Sequence, residues 1–164
     1  MIADRARLLD ALVTHSVAAG AVVWRHFCAG CAVHTKTDES PVTAADHDAE
    51  AVILAGLAAD APGIAVVAEE EHAAGRVPGA SSAFFLVDPV DGTRDFVARG
   101  TDFTVNIGLI EAGAPTMGVI YAPARDRLWW GDTTLGAWTA VQPPNGARGE
   151  ARPCLLYTSP SPRD

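Results

Sequence analysis

The sequence predicts an α/β chain (α+β layered) in which two helices pack on a mixed, largely antiparallel sheet. Three observations carry that reading. One segment near the N-terminus repeats apolar residues at three- and four-residue intervals, the period of a half-buried helix, and a second is bracketed by helix start and stop signals. Two later segments are short continuous apolar runs, as in buried strands, and each ends on acidic residues. From Phe103 to Val141, short strand-like runs alternate with turn signals. Composition agrees: 164 residues, 49% hydrophobic and 20% charged, is a globular chain able to bury a core.

In the first helix, Leu9, Leu12, Val13, Ser16, Gly20, Val23 and Phe27 form the stripe, and Asp4, Arg5, Arg7 and Asp10 lie mostly off it. Gly30 suits the C-terminal position after Cys28-Ala29. Residues 33–36 read as a short strand. Pro41 then breaks any helix before it. Thr43 is a good N-cap, with Asp46 three residues on as a near capping box, and a second helix runs to about Asp60. Ala45, Val52, Leu54, Ala55 and Ala58 are available to pack it, and Pro62-Gly63 stops it. Residues 64–68 are the first buried strand, followed at once by Glu69-Glu70-Glu71. A loop over 72–82 leads to the second, 83–87, which ends on Asp88-Pro89-Val90-Asp91-Gly92-Thr93. Residues 94–98 make one or two helical turns. Strands follow over 103–110, 117–121, 127–131 and 137–141, separated by turns at Gly113, Pro123, Asp132 and Gly136. Residues 143–146 read as a loop. The stretch 157–164 has no periodicity and is expected to be disordered.

Charge and cysteine usage exclude several functions. A formal net charge of −8 argues against a nucleic-acid polymer as partner, since phosphate backbones demand basic excess. The absence of a continuous apolar run of about 18 residues predicts no transmembrane segment. The N-terminus lacks a signal-like apolar region, so a cytoplasmic location is expected, with peripheral membrane association left open. Cys28-x-x-Cys31 has no second pair to complete a zinc site. With Cys154 it is read as ordinary reduced thiol.

The chemistry lies where the two buried strands end, since α/β folds place ligands at strand termini. Asp88 and Asp91, the intervening Val90 carbonyl and Glu69 from the neighbouring strand form an all-oxygen set that suits Mg²⁺ or Mn²⁺ rather than Zn²⁺. Gly92-Thr93 opens a short helix whose first amides can hold phosphate. A cation site and an anion site on one loop point to phosphoryl transfer. Taken singly, each feature has a plainer meaning. The Glu69-Glu70-Glu71 triplet is a solvated loop, D-P-x-D an Asx turn, Asp46 a helix cap and Lys36 a surface lysine.

Together these residues resemble a family. Glu69-Glu70 after a strand, then Asp88-Pro89-Val90-Asp91-Gly92-Thr93-Arg94-Asp95-Phe96, is similar to the signature of the inositol monophosphatase superfamily of Mg²⁺-dependent, lithium-sensitive phosphatases. Four stretches resemble its bacterial bisphosphate-nucleotidase branch most: Ser40-Pro41-Val42-Thr43-Ala44-Ala45-Asp46, Thr93-Arg94-Asp95-Phe96, Phe103-Thr104-Val105-Asn106-Ile107-Gly108-Leu109-Ile110 and Gly118-Val119-Ile120-Tyr121-Ala122-Pro123. The resemblance implies a sugar-phosphatase-like fold and hydrolysis of adenosine 3′,5′-bisphosphate to AMP and phosphate. The alternatives are an inositol-phosphate or other sugar-phosphate phosphatase, and a noncatalytic metal-binding fragment. It further implies two or more Mg²⁺ ions, with Mn²⁺ as a substitute, and a small phosphorylated substrate.

The family's roles, carried over by matching residues, make Glu69, Asp88, the Val90 carbonyl and Asp91 metal ligands, with Glu70 behind them. Asp46 and Thr93 would orient and deprotonate the attacking water, with Glu69 beside them in catalysis. Lys36, Glu69, Gly92 and Thr93 would touch the substrate. The family continues into a second α/β half with a W-D-x-A-A-G motif, and no such motif stands in this sequence. The expectation is therefore an incomplete phosphatase domain over 1–153 and an unrelated tail over 154–164. Apolar surface left by the missing half could let the chain associate with itself.

Overall fold

The computed structural model describes residues 4–29, 33–35, 41–68 and 82–154, and in it the two expected helical segments become helices α1 (Arg5–Ala29) and α2 (Ala44–Asp60). Before α2, strands β1 (Val33–Thr35) and β2 (Pro41–Thr43) form a small antiparallel ribbon. Seven strands make the main sheet: β3 (Ala65–Ala68), β4 (Ala83–Asp91), β5 (Thr104–Glu111), β6 (Ala114–Ala122), β7 (Arg127–Asp132), β8 (Gly136–Val141) and β9 (Arg152–Pro153). They lie side by side in chain order. Only β3 and β4 run parallel, and every later pair is antiparallel. The short helix α3 (Thr93–Val97) and one 3₁₀ turn (Pro123–Arg125) complete the described elements.

Strand alternation divides the sheet into two faces. Phe85, Val87, Val105, Ile107, Leu109, Val119, Tyr121 and Leu128 are buried and form one core with Leu12, Val23, Ala49, Ile53 and Leu57 of the helices. At Gly20 an added Cβ would stand 2.2 Å from the Tyr121 ring, so glycine lets α1 lie directly on β6. The Tyr121 hydroxyl, raised above its ordinary pKa by burial, donates to the Gln142 carbonyl at 2.9 Å. α1 is long and apolar enough by composition to cross a membrane, yet half of that stretch is buried inside the fold. The opposite sheet face is a shallow concavity of about 830 Å³, lined by Leu86, Ile120 and Trp129, with Leu86 and Ile120 44% and 48% exposed.

An ion-pair cluster ties the start of α1 to the sheet. Arg5 donates Nε to Asp132 Oδ2 and Nη1 to Glu111 Oε2, both at 2.7 Å. The Asp132 carboxylate, fully shielded from solvent, also accepts from the Thr134 hydroxyl and the Thr134 and Leu135 amides. Burial alone would raise its pKa. The Arg5, Thr134 and Leu135 hydrogen bonds outweigh burial and hold it at about 2, from an ordinary 3.8. A depressed carboxyl contributes stability above its unfolded pKa and loses it as pH falls through the folded one. Asp132→Ala is therefore expected to cost about 2 kcal/mol at neutral pH by removing one of the two carboxylates that hold Arg5 and by opening the turn. Thermal melts of wild type and Asp132→Asn should converge as pH falls from about 4 to 2. Parallel pH dependence of the two would remove Asp132 from that role.

Most expected elements form where their signals place them. β2 carries no periodic signal because it is only three residues long, and its pairing with β1 exists only in the fold. β4 runs through Asp91, four residues past the expected end at Val87. β9 joins the sheet edge at Arg152–Pro153, where no strand was expected. The expected loop over 72–82 and the stretch 157–164 lie outside the described residues, except for Ser82. So does Cys31, while Cys28 is an exposed thiol and Cys154 a half-buried one.

Candidate active site

Asp88 pairs in register with Asn106, and Asp91 with Thr104, so β4 uses three steps where β5 uses two. The extra residue is a β-bulge at Pro89-Val90, where a missing N–H breaks no ladder bond. Burial records the slip: the alternation of β4 is interrupted by two consecutive buried residues, Pro89 and Val90. Without the bulge, residues three apart would point to opposite faces. With it, Asp88 and Asp91 both line the open concavity, beside Thr104 and Asn106. The strand thus delivers both carboxylates itself, where the sequence reading put them on a loop after it.

Gly92 follows in the left-handed region at φ 90° and starts α3. A Cβ there would stand 2.3 Å from the Asp102 carbonyl, so backbone angle and space both require glycine. The Thr93 hydroxyl donates to the Val90 carbonyl at 2.9 Å, which closes the turn and leaves that oxygen a second lone pair. α3 is anchored by Phe96, buried against Phe27 and Phe103 with ring centroids 5.5 and 5.1 Å away. Arg99, just beyond α3, donates to the Phe27 carbonyl and lies 4.3 Å over its ring. It thereby satisfies a C-terminal carbonyl of α1 and binds that helix end to the site loop.

Asp46 is 4% exposed in the first turn of α2. β2, immediately before α2, is in contact with α3, which links the elements that carry Asp46 and Thr93. β3 ends at Ala68, opposite Val87 of β4, one residue before Asp88. Glu69 and Glu70 follow Ala68 but lie outside the described residues, as does Lys36. Among the described residues no three His, Cys, Asp or Glu side chains converge on one point. Among the described residues, β4 brings the Asp88 and Asp91 carboxylates to this end of the sheet, and the Val90 carbonyl, which accepts from Thr93, lies between them in the chain.

Asn106 joins the site through the fold. Its Nδ2 donates to Asp91 Oδ2 at 3.1 Å. The available signal was weak: Thr104 and Asn106 are the polar positions of a strand whose alternate residues, Val105 and Ile107, are apolar and buried.

A family model described as the inositol monophosphatase family matches residues 4–161. The 3′(2′),5′-bisphosphate nucleotidase CysQ of Salmonella typhimurium strain LT2 is 52% identical over 95 residues, covering 58% of this chain and 39% of that protein. The CysQ of Buchnera aphidicola is 36% identical over 139 residues, covering 80% of this chain and 51% of that one. The crystal structure of CysQ from Bacteroides thetaiotaomicron superposes with a TM-score of 0.69 at 29% identity, over 90% of this chain and 53% of that one. The chain thus spans about half the length, or less, of these relatives.

Proposed function

The chain belongs to the inositol monophosphatase family, and on that premise we propose that it forms the cation- and phosphate-binding part of a 3′(2′),5′-bisphosphate nucleotidase. The reaction is Mg²⁺-dependent hydrolysis of adenosine 3′,5′-bisphosphate to AMP and phosphate. The observation that carries the proposal is the Pro89-Val90 bulge, which turns Asp88 and Asp91 to one face directly before the Gly92-Thr93 turn. An all-oxygen donor set fits a hard divalent cation.

In this reading Asp88, Asp91, the Val90 carbonyl and Glu69 hold the cation, and Glu70 supports them. Bound Mg²⁺ polarises the phosphate and lowers the pKa of a water. Gly92 and Thr93 present backbone amides to the phosphate, and Lys36 meets its charge. Thr93 already spends its hydroxyl proton on Val90, so its lone pairs are what it offers the attacking water. Asp46 accepts the proton. Arg94-Asp95 before Phe96 favours a nucleotide over an inositol phosphate.

Two measurements test this. Calorimetric titration should give weak Mg²⁺ binding to the wild-type chain and at least about tenfold weaker binding to Asp88→Asn. Equal affinities would refute the cation site. In a chain completed by the second half of a curated relative, phosphate release from adenosine 3′,5′-bisphosphate should exceed that from inositol 1-phosphate. The reverse order would move the function to a sugar-phosphate phosphatase. Cation binding with neither activity would leave a metal-binding module.

A further inference from the structure

We propose that Asn106 is a positioning residue that sets the direction of the Asp91 carboxylate toward the bound cation. The inference rests on the cation-site reading above. Asp91 is exposed at the far end of the bulge, so its side chain is free to rotate unless something fixes it. Asn106 is placed to do so: it stands opposite Asp88 on the neighbouring strand, and its Nδ2 reaches Asp91 Oδ2 at 3.1 Å. One residue therefore adjoins both carboxylates, by register to one and by hydrogen bond to the other.

The residue type matters as much as the position. A lysine or arginine here would hold Asp91 by charge and compete with a cation for it. A third carboxylate would repel it. A neutral amide restrains one oxygen through a single donor and leaves Asp91 Oδ1 open. The position also has a cost that packing does not explain. Asn106 Oδ1 is buried without a hydrogen-bond partner among the described residues. A buried unsatisfied acceptor is unfavourable. Its other strand neighbour, in β6, is Ile120, so an aliphatic side chain would suit the site better if shape alone decided. An amide at this position is accounted for by its bond to Asp91.

The test measures Mn²⁺ affinity of the purified 164-residue chain, from the free-ion electron paramagnetic resonance signal, together with the thermal midpoint without metal. Asn106→Ala removes the donor, and Asn106→Leu removes it while keeping a side chain branched at Cγ, which guards against a variant that fails to fold. Both should bind Mn²⁺ on the order of tenfold more weakly, as for residues that orient ligands from behind. Their metal-free midpoints should stay within a few degrees of wild type. Asp91→Asn is the control and should lose more affinity than either. Wild-type affinity in the Asn106 variants alongside a weakened Asp91→Asn would overturn the positioning role alone. So would a lowered midpoint with unchanged affinity, which marks a purely structural residue. Wild-type affinity in Asp91→Asn would remove the cation site, and the inference with it.

Discussion

Asp46→Asn and Thr93→Ala are each expected to lower kcat by about 10²–10⁴-fold in a chain completed by the second half of a relative, the range for loss of a positioned proton acceptor. The two substitutions act differently. Asp46→Asn preserves the shape of a side chain that is 4% exposed but removes its ability to take a proton. Thr93→Ala removes the hydroxyl that closes the turn onto the Val90 carbonyl, along with the lone pairs offered to water. KM should change little in the first case, because Asp46 is not assigned to substrate binding. It should rise in the second, because the turn whose amides are proposed to hold the phosphate loosens. The check is steady-state phosphate release with saturating Mg²⁺, beside circular dichroism to confirm the fold. Rates within about threefold of wild type would reduce Asp46 to a helix-end residue with only capping value.

Gly92→Ala should damage the site more broadly than any single ligand substitution. The left-handed backbone at φ 90° disfavours alanine by roughly 1 kcal/mol or more. The larger effect is steric, since the new Cβ meets the Asp102 carbonyl at 2.3 Å. That carbonyl has little room to yield. Asp102 is paired with Arg125, and Phe103, the next residue, is 1% exposed in the aromatic cluster. The turn must therefore shift, and Asp91, Gly92 and Thr93 shift with it. A displacement of about 1 Å at reacting groups costs on the order of 10²-fold in rate. Mg²⁺ affinity should fall in parallel with kcat, and the thermal midpoint should drop by several degrees. A Gly92→Ala variant with wild-type affinity and midpoint would mean that the turn is not held as described.

Local chemistry made much of this protein legible in one dimension. Helical periodicity placed α1, and the Thr43 and Pro62-Gly63 signals bounded α2, to within a residue or two. The face that α2 buries differs from the expected one: Ala55 and Ala58 are exposed, and Ala49, Ile53 and Leu57 pack the core, because helix docking on the sheet selects the buried stripe. The acidic end of the second apolar run lies in the candidate site, that of the first falls outside the described residues, and the order D-P-V-D-G-T carried a family resemblance that the match over residues 4–161 shows to be membership. The orientation of those acids could not be read the same way. Asp88 and Asp91 share a face only because β4 slips by one residue against β5, and a slip is a property of two strands, not one. The same holds for β2, which exists through its pairing with β1, and for β9 at the sheet edge. Asn106 is the clearest case. It sits 15 positions from Asp91 in the chain and bonds to it across a ladder. Arg5 likewise reaches Asp132 over 127 positions. Residue type and spacing determined the helices, most of the strands and the family to which the chain belongs. Strand register and helix docking, which depend on contacts between distant segments, decided which of those groups face one another.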